Sequence, residues 1–156
     1  MPTKEVEEID SALRKMSLHS KEERRTFRAR RSLQAVVAIL AVIPVLAGLA
    51  GVLLGPGMVD GPGVASLAMD SHYSYLSGLL MGIGLGFWTT VPGIETKTNR
   101  FQMLTAMVFL GGLGRLYSLI TVGMPDRMML FGLAMELIVT PLLAVWQNVV
   151  ARQALA

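Results

Sequence analysis

Four apolar runs of about twenty residues, set apart by glycine, proline and charge, constrain this chain more than any other feature. A hydrocarbon layer about 30 Å thick takes about 20 helical residues to cross. The runs fall at roughly 33–54, 73–91, 101–121 and 128–149. In lipid a backbone must satisfy its own polar groups, so each run reads as a helix. The segments 55–63 and 92–100 and the turn at 123–126 that separate them are short. Short connections make neighbouring spans antiparallel. The expected fold class is therefore all-α: a polytopic membrane protein built as an antiparallel four-transmembrane-helix bundle.

Charge divides the chain in two. Residues 1–31 hold nine of the fourteen Lys and Arg and six of the eleven Asp and Glu. They form a polar N-terminal extension, and residues 32–152 form the membrane domain. Arg24, Arg25, Arg28, Arg30 and Arg31 flank the first span, Lys97 and Arg100 follow the second, and Arg152 follows the fourth. The other side offers only Arg127. The bias of Lys and Arg toward the cytoplasm then puts both termini there. The arginines of the extension are placed for anionic lipids of the inner leaflet, and membrane contact accounts for the net charge of +3 without nucleic acid. The first run is long enough to span, so the extension reads as retained and not as a cleaved signal. Val6, Ile9, Leu13 and Met16 recur at helical spacing, which predicts a short amphipathic helix. Ser20 with Glu23 fits a capping box that opens a second helix.

Small residues predict how the helices meet. Lipid gives no hydrophobic drive for association, so close approach through small side chains must supply it. Gly78, Gly82 and Gly86 follow at four-residue intervals in the second span, as do Ala47, Gly51 and Gly55 at the end of the first. Gly111 and Gly112 stand in the third span, and Gly132 opens an i+4 stripe through Glu136 and Thr140 in the fourth. These positions are expected to pack helix on helix.

Arg115 and Glu136 each put a charge inside an apolar run. Such a charge costs several kcal/mol unless it is paired or wetted. At 1.5 Å per residue, Arg115 lies about 9 Å and Glu136 about 12 Å below the outer boundary. Side chains lean toward their helix N-terminus, so the two heads converge. Asp70 and His72 sit at the mouth of the second span, where Asp70 or Ser71 would cap the helix. With Ser74, Tyr117 and Ser118 they complete a candidate outward-facing pocket for ligand binding or proton relay. Pro141 breaks a helix bond and is expected to kink the fourth span. The same pair could serve only to fix helix register.

The catalytic reading lacks its parts. With no cysteine there is no disulfide or thiol chemistry. A second membrane histidine, a Glu-x-x-His pair and a Gly-x-Ser-x-Gly elbow are absent too. No catalytic residue, metal site or cofactor is implied.

The stretch from Asp70-Ser71-His72-Tyr73-Ser74-Tyr75 through Gly82-Ile83-Gly84-Leu85-Gly86-Phe87-Trp88, with Phe109-Leu110-Gly111-Gly112-Leu113-Gly114-Arg115-Leu116, resembles the domain-of-unknown-function 4345 family. The resemblance covers roughly Leu33 to Arg152. It implies a small four-helix protein of the bacterial inner membrane and no established activity. Two functions are expected from different classes. One is binding, or moving, a small amphipathic or anionic ligand. The other is an interaction subunit whose glycine stripes meet a second copy or a membrane partner.

Overall fold

The computed structural model describes residues 4–57 and 66–155. Among them all regular structure is helical. The helices are α1 (Lys4–Leu40), α2 (Val42–Leu54), α3 (Leu67–Thr90), α4 (Thr98–Thr121), α5 (Arg127–Ala134) and α6 (Thr140–Leu155), with a π-helical turn at Met135–Val139 between the last two. They form four rods: α1–α2, α3, α4, and α5–π–α6. Among the described residues three stretches are long and apolar enough to cross a membrane: Leu13–Leu54, Thr98–Thr121 and Arg127–Ala154. The rod over the expected second span, α3, is not among them. Its 24 residues rise about 36 Å, so length is sufficient. Asp70, His72 and interspersed Ser, Gly and Thr lower its apolarity.

Helix boundaries follow local chemistry. The α3 helix starts earlier than expected because the Ser66 hydroxyl accepts the Met69 N–H at 3.2 Å. Asp70 lies in its first turn, so neither Asp70 nor Ser71 is the cap. Asp126 Oδ1 caps α5 through the Met129 N–H at 2.8 Å. The first rod breaks at Ala41, three residues before Pro44, whose missing N–H leaves the Leu40 carbonyl unserved. The expected capping box is overturned. The α1 backbone runs through Ser20 without a break, and Glu23 faces His19 at 3.2 Å. The side chains of Val6 and Ile9, and most of the expected loop over 55–63, lie outside the described residues.

The tightest helix contact joins α2 to α3. A Cβ on Gly48 would lie 2.5 Å from the Ser77 carbonyl oxygen and 2.6 Å from the Met81 nitrogen. Gly51 sits against the Ser77 side chain, and Gly84 against Val45 and the Ala41 carbonyl. The predicted stripe fares differently. Gly86 meets Leu104 and Gly112 meets Glu136 and Leu137, whereas Gly78, Gly82, Gly111 and Gly132 have nothing within 4 Å of a Cβ. The physical reason is rotation. Four residues turn about 400°, so an i+4 series drifts about 40° per step around the helix, while a seven-residue spacing drifts only about 20°. Ser77 and Gly84, seven apart, hold one face.

The core gathers where α1, the 91–97 connection, α4 and α6 meet. Leu33, Val37, Phe87, Ile94, Phe101, Ala144 and Val150 are buried there. The rings of Phe87 and Phe101 meet edge to face at 5.2 Å. Polar ties close this end. Gln34 Nε2 donates to the Val91 carbonyl at 2.8 Å, Trp88 Nε1 to Ala38 at 2.9 Å, and Lys97 Nζ to Thr89 at 2.7 Å. The fully buried Gln147 donates at 2.9 Å to both the Ile94 carbonyl and Thr98 Oγ1. Toward the opposite end, Ile120, Val122, Met124 and Met128 are exposed.

Candidate functional site

Arg115 and Glu136 come together. Gly112, one turn before Arg115, lets α4 approach the π turn so closely that a Cβ would lie 2.9 Å from Glu136 Cβ. Arg115 Nε then stands 3.1 Å from Glu136 Oε1. Its Nη1 points at the Met129 sulfur, 2.9 Å away. The second carboxylate oxygen, Oε2, is buried with no hydrogen-bond partner. The pair is therefore single-stranded, whereas an arginine fork and a carboxylate can form two parallel bonds.

The π turn positions Glu136. Pro141 has no N–H for the Leu137 carbonyl, and the turn before it is widened. The Thr140 N–H reaches back five residues to the Met135 carbonyl, and the Thr140 hydroxyl donates to the same oxygen at 2.9 Å. The kink expected from Pro141 thus takes the form of a π bulge. Such single turns recur at functional sites because they re-aim side chains.

The other predicted pocket residues do not join the pair. Among the described residues, α3 makes no contact with α5, the π turn or α6. Asp70 turns toward the end of α2, where Gly55 takes a positive φ of 65° and a Cβ would meet Asp70 Oδ1 at 2.8 Å. His72 is exposed on the same helix, and Ser74 is half-buried there. Tyr117 lies two residues past Arg115, about 200° around α4, and is exposed. Ser118 returns toward the Arg115 side and is exposed. No three His, Asp or Glu side chains gather as metal ligands among the described residues.

Sequence reasoning missed several residues. Met129 lies seven before Glu136 and so on its face, a spacing legible in the sequence. A second ion pair joins Arg30 Nη1 to Glu95 Oε1 at 2.9 Å. It ties down one of the arginines expected at lipid headgroups, while Lys21, Arg24, Arg25 and Arg28 line an open groove of about 320 Å³ on α1. Another open groove of about 340 Å³, lined by Gln102, Thr105, Phe109, Pro141 and Asn148 among others, lies between α4 and α6, apart from the Arg115 pair.

The fold and site define a class: an all-α protein with three helices apolar enough to cross a membrane and one Arg–Glu pair bridging its last two rods. The chain belongs to the family described as domain of unknown function DUF4345, whose profile matches residues 32–147. The match begins where the charge-rich extension gives way to the first apolar run. No curated protein and no solved structure matches the chain.

Proposed function

We propose that this is a four-span protein of a bacterial inner membrane, both termini cytoplasmic, that binds a small amphipathic anion at Arg115. One observation carries the reading: Arg115 is 41% exposed and, among the described residues, its one side-chain partner besides Glu136 is the weakly accepting sulfur of Met129. Glu136 neutralises Arg115 when the site is empty.

Native mass spectrometry of the full chain from mild detergent tests this. Wild type should retain an anionic amphipath of discrete mass, and Arg115→Ala should lose it. The swap Arg115→Glu with Glu136→Arg should restore folding and not retention. A bare wild-type protein, or retention indifferent to Arg115, overturns the proposal.

A second reading rests on Gly78, Gly82, Gly111 and Gly132, which leave bare surface where a partner helix could approach. In that reading the protein is an assembly subunit, and Gly82→Leu breaks a co-purifying complex without disturbing the Arg115–Glu136 pair.

A further inference from the structure

We infer that Met129 is a placeholder on the anion-binding edge of Arg115, and that the site takes an oxyanion, carboxylate or phosphate, borne on an apolar tail. The inference rests on the reading of Arg115 as the anion site and adds which edge binds and what must move. A guanidinium presents two edges that can hold an oxyanion by paired N–H groups. Glu136 occupies Nε, which spoils the side edge. The end edge remains, made of Nη1 and Nη2. Nη1 is on the Met129 sulfur at 2.9 Å, and Nη2 makes no hydrogen bond among the described residues.

The chemistry of the thioether suits a temporary occupant. It is a weak acceptor on a side chain with three rotatable bonds, so it can relieve an idle guanidinium and swing away. A carboxamide oxygen there would compete with the ligand, and an aliphatic side chain would leave Nη1 without an acceptor. The position of Met129 is fixed from behind, because its N–H is held by Asp126 Oδ1 at 2.8 Å. Room exists for the exchange. Met129, Gly132 and Glu136 recur on one face at three- and four-residue spacing, and nothing lies within 4 Å of a Cβ built on Gly132. The surroundings suit a tail, since Met124, Met128 and Phe131 are exposed nearby in sequence.

Isothermal titration of the full chain in mild detergent, with dodecyl phosphate, laurate and inorganic phosphate as probes, tests the inference on Met129→Leu and Met129→Gln. Both substitutions roughly keep side-chain volume, but their acceptor strengths fall on opposite sides of the thioether. Affinity should rise about three- to tenfold in Met129→Leu and fall by a similar factor in Met129→Gln, the worth of one ordinary hydrogen bond. A role in packing alone would not order the three residues by acceptor strength. The two twelve-carbon probes should bind, and inorganic phosphate should bind at least tenfold more weakly; equal binding of inorganic phosphate overturns the tailed ligand. Arg115-dependent binding with equal affinity in all three proteins overturns the placeholder and leaves the anion site standing. Failure of the wild type to bind any probe overturns both.

Discussion

Among the described residues two Arg–Glu pairs have nearly equal exposure, and their surroundings make them different objects. Arg30 and Glu95 are 37% and 15% exposed; Arg115 and Glu136 are 41% and 16% exposed. Each leaves one carboxylate oxygen buried without a partner. Burial therefore does not separate them. What separates them is the neighbourhood. Glu95 stands in a connection that Gln34 and Gln147 also grip through the carbonyls of Val91 and Ile94, beside a core of Leu33, Ile94 and Phe101. Arg115 lies seventeen residues up α4 from Thr98, about 25 Å away, and its one further partner is a methionine sulfur. The first pair is one knot among several at a closed end. The second stands nearly alone at an open one. Similar ion pairs thus divide into a fastening and an accessible charge.

The sharpest way to break this comparison is to open the closed part elsewhere. Gly48→Leu puts a side chain into the Ser77 carbonyl and the Met81 nitrogen, both backbone, so α2 must leave α3. It should cost about 3 kcal/mol or more, at the upper end of overpacking effects, and yield little folded protein in a thermal melt followed by tryptophan fluorescence. Next comes the pair itself. Glu95→Ala strands Arg30, whose Nε is already buried and unpartnered, and unties the connection. A loss of about 1–3 kcal/mol is expected, discounted for the exposure of Arg30. Glu136→Ala should cost under about 1 kcal/mol, because Arg115 keeps Met129 and can turn outward. Equal losses in the two variants would erase the distinction between fastening and accessible charge.

The parts of this arrangement legible in the sequence were those set by long-range pattern. Run lengths located all four rods, and side-chain lean brought Arg115 onto Glu136. Contacts depending on helix rotation were not legible. Counting four residues from Gly78 to Gly82 to Gly86 selected one residue that meets another helix within the chain, Gly86 against Leu104, while the contact with α2 runs through Ser77 and Gly84. Capping went astray for a similar reason. Ser66 and Asp70 are both good caps, and nothing local says which turn comes first. Pro141 announced a disturbance without its form, because a kink and a π bulge relieve the same missing N–H. The Arg30–Glu95 pair spans sixty-five residues, and only packing of α1 on the 91–97 connection reveals it. Gln147 did leave a signal: an amide in an apolar run needs a partner as much as a charge does, and it went unread.

Gln147 supplies a smaller test of the closed end. Gln147→Leu keeps the volume and removes donors to the Ile94 carbonyl and to Thr98 Oγ1. It should lower stability by about 1–2 kcal/mol, the penalty for a buried carbonyl left unserved. The same loss also removes the buried, unpartnered Oε1, which offsets part of the cost and places this variant below Glu95→Ala. A neutral result would mean that the core around Ile94 and Phe101 holds the connection without polar help.

The smallest expected effect is the most discriminating. Gly82→Leu adds a large side chain to α3, in the same helix as the α2 contact, yet nothing lies within 4 Å of its Cβ. Within one chain it should change the melting free energy by less than about 0.5 kcal/mol, as open surface positions do, and replacing glycine within a helix offsets some of any loss. The same variant reads the open surface of the molecule. If that bare strip of α3 is lipid-facing, leucine there is neutral by every measure. If a partner helix lies against it, the isolated chain still melts as before while the assembled species disappears from native mass spectra. Stability and assembly then separate in one substitution, and the comparison extends from two ends of the bundle to two faces of α3: one closed on α2 through Ser77 and Gly84, the other bare at Gly78 and Gly82.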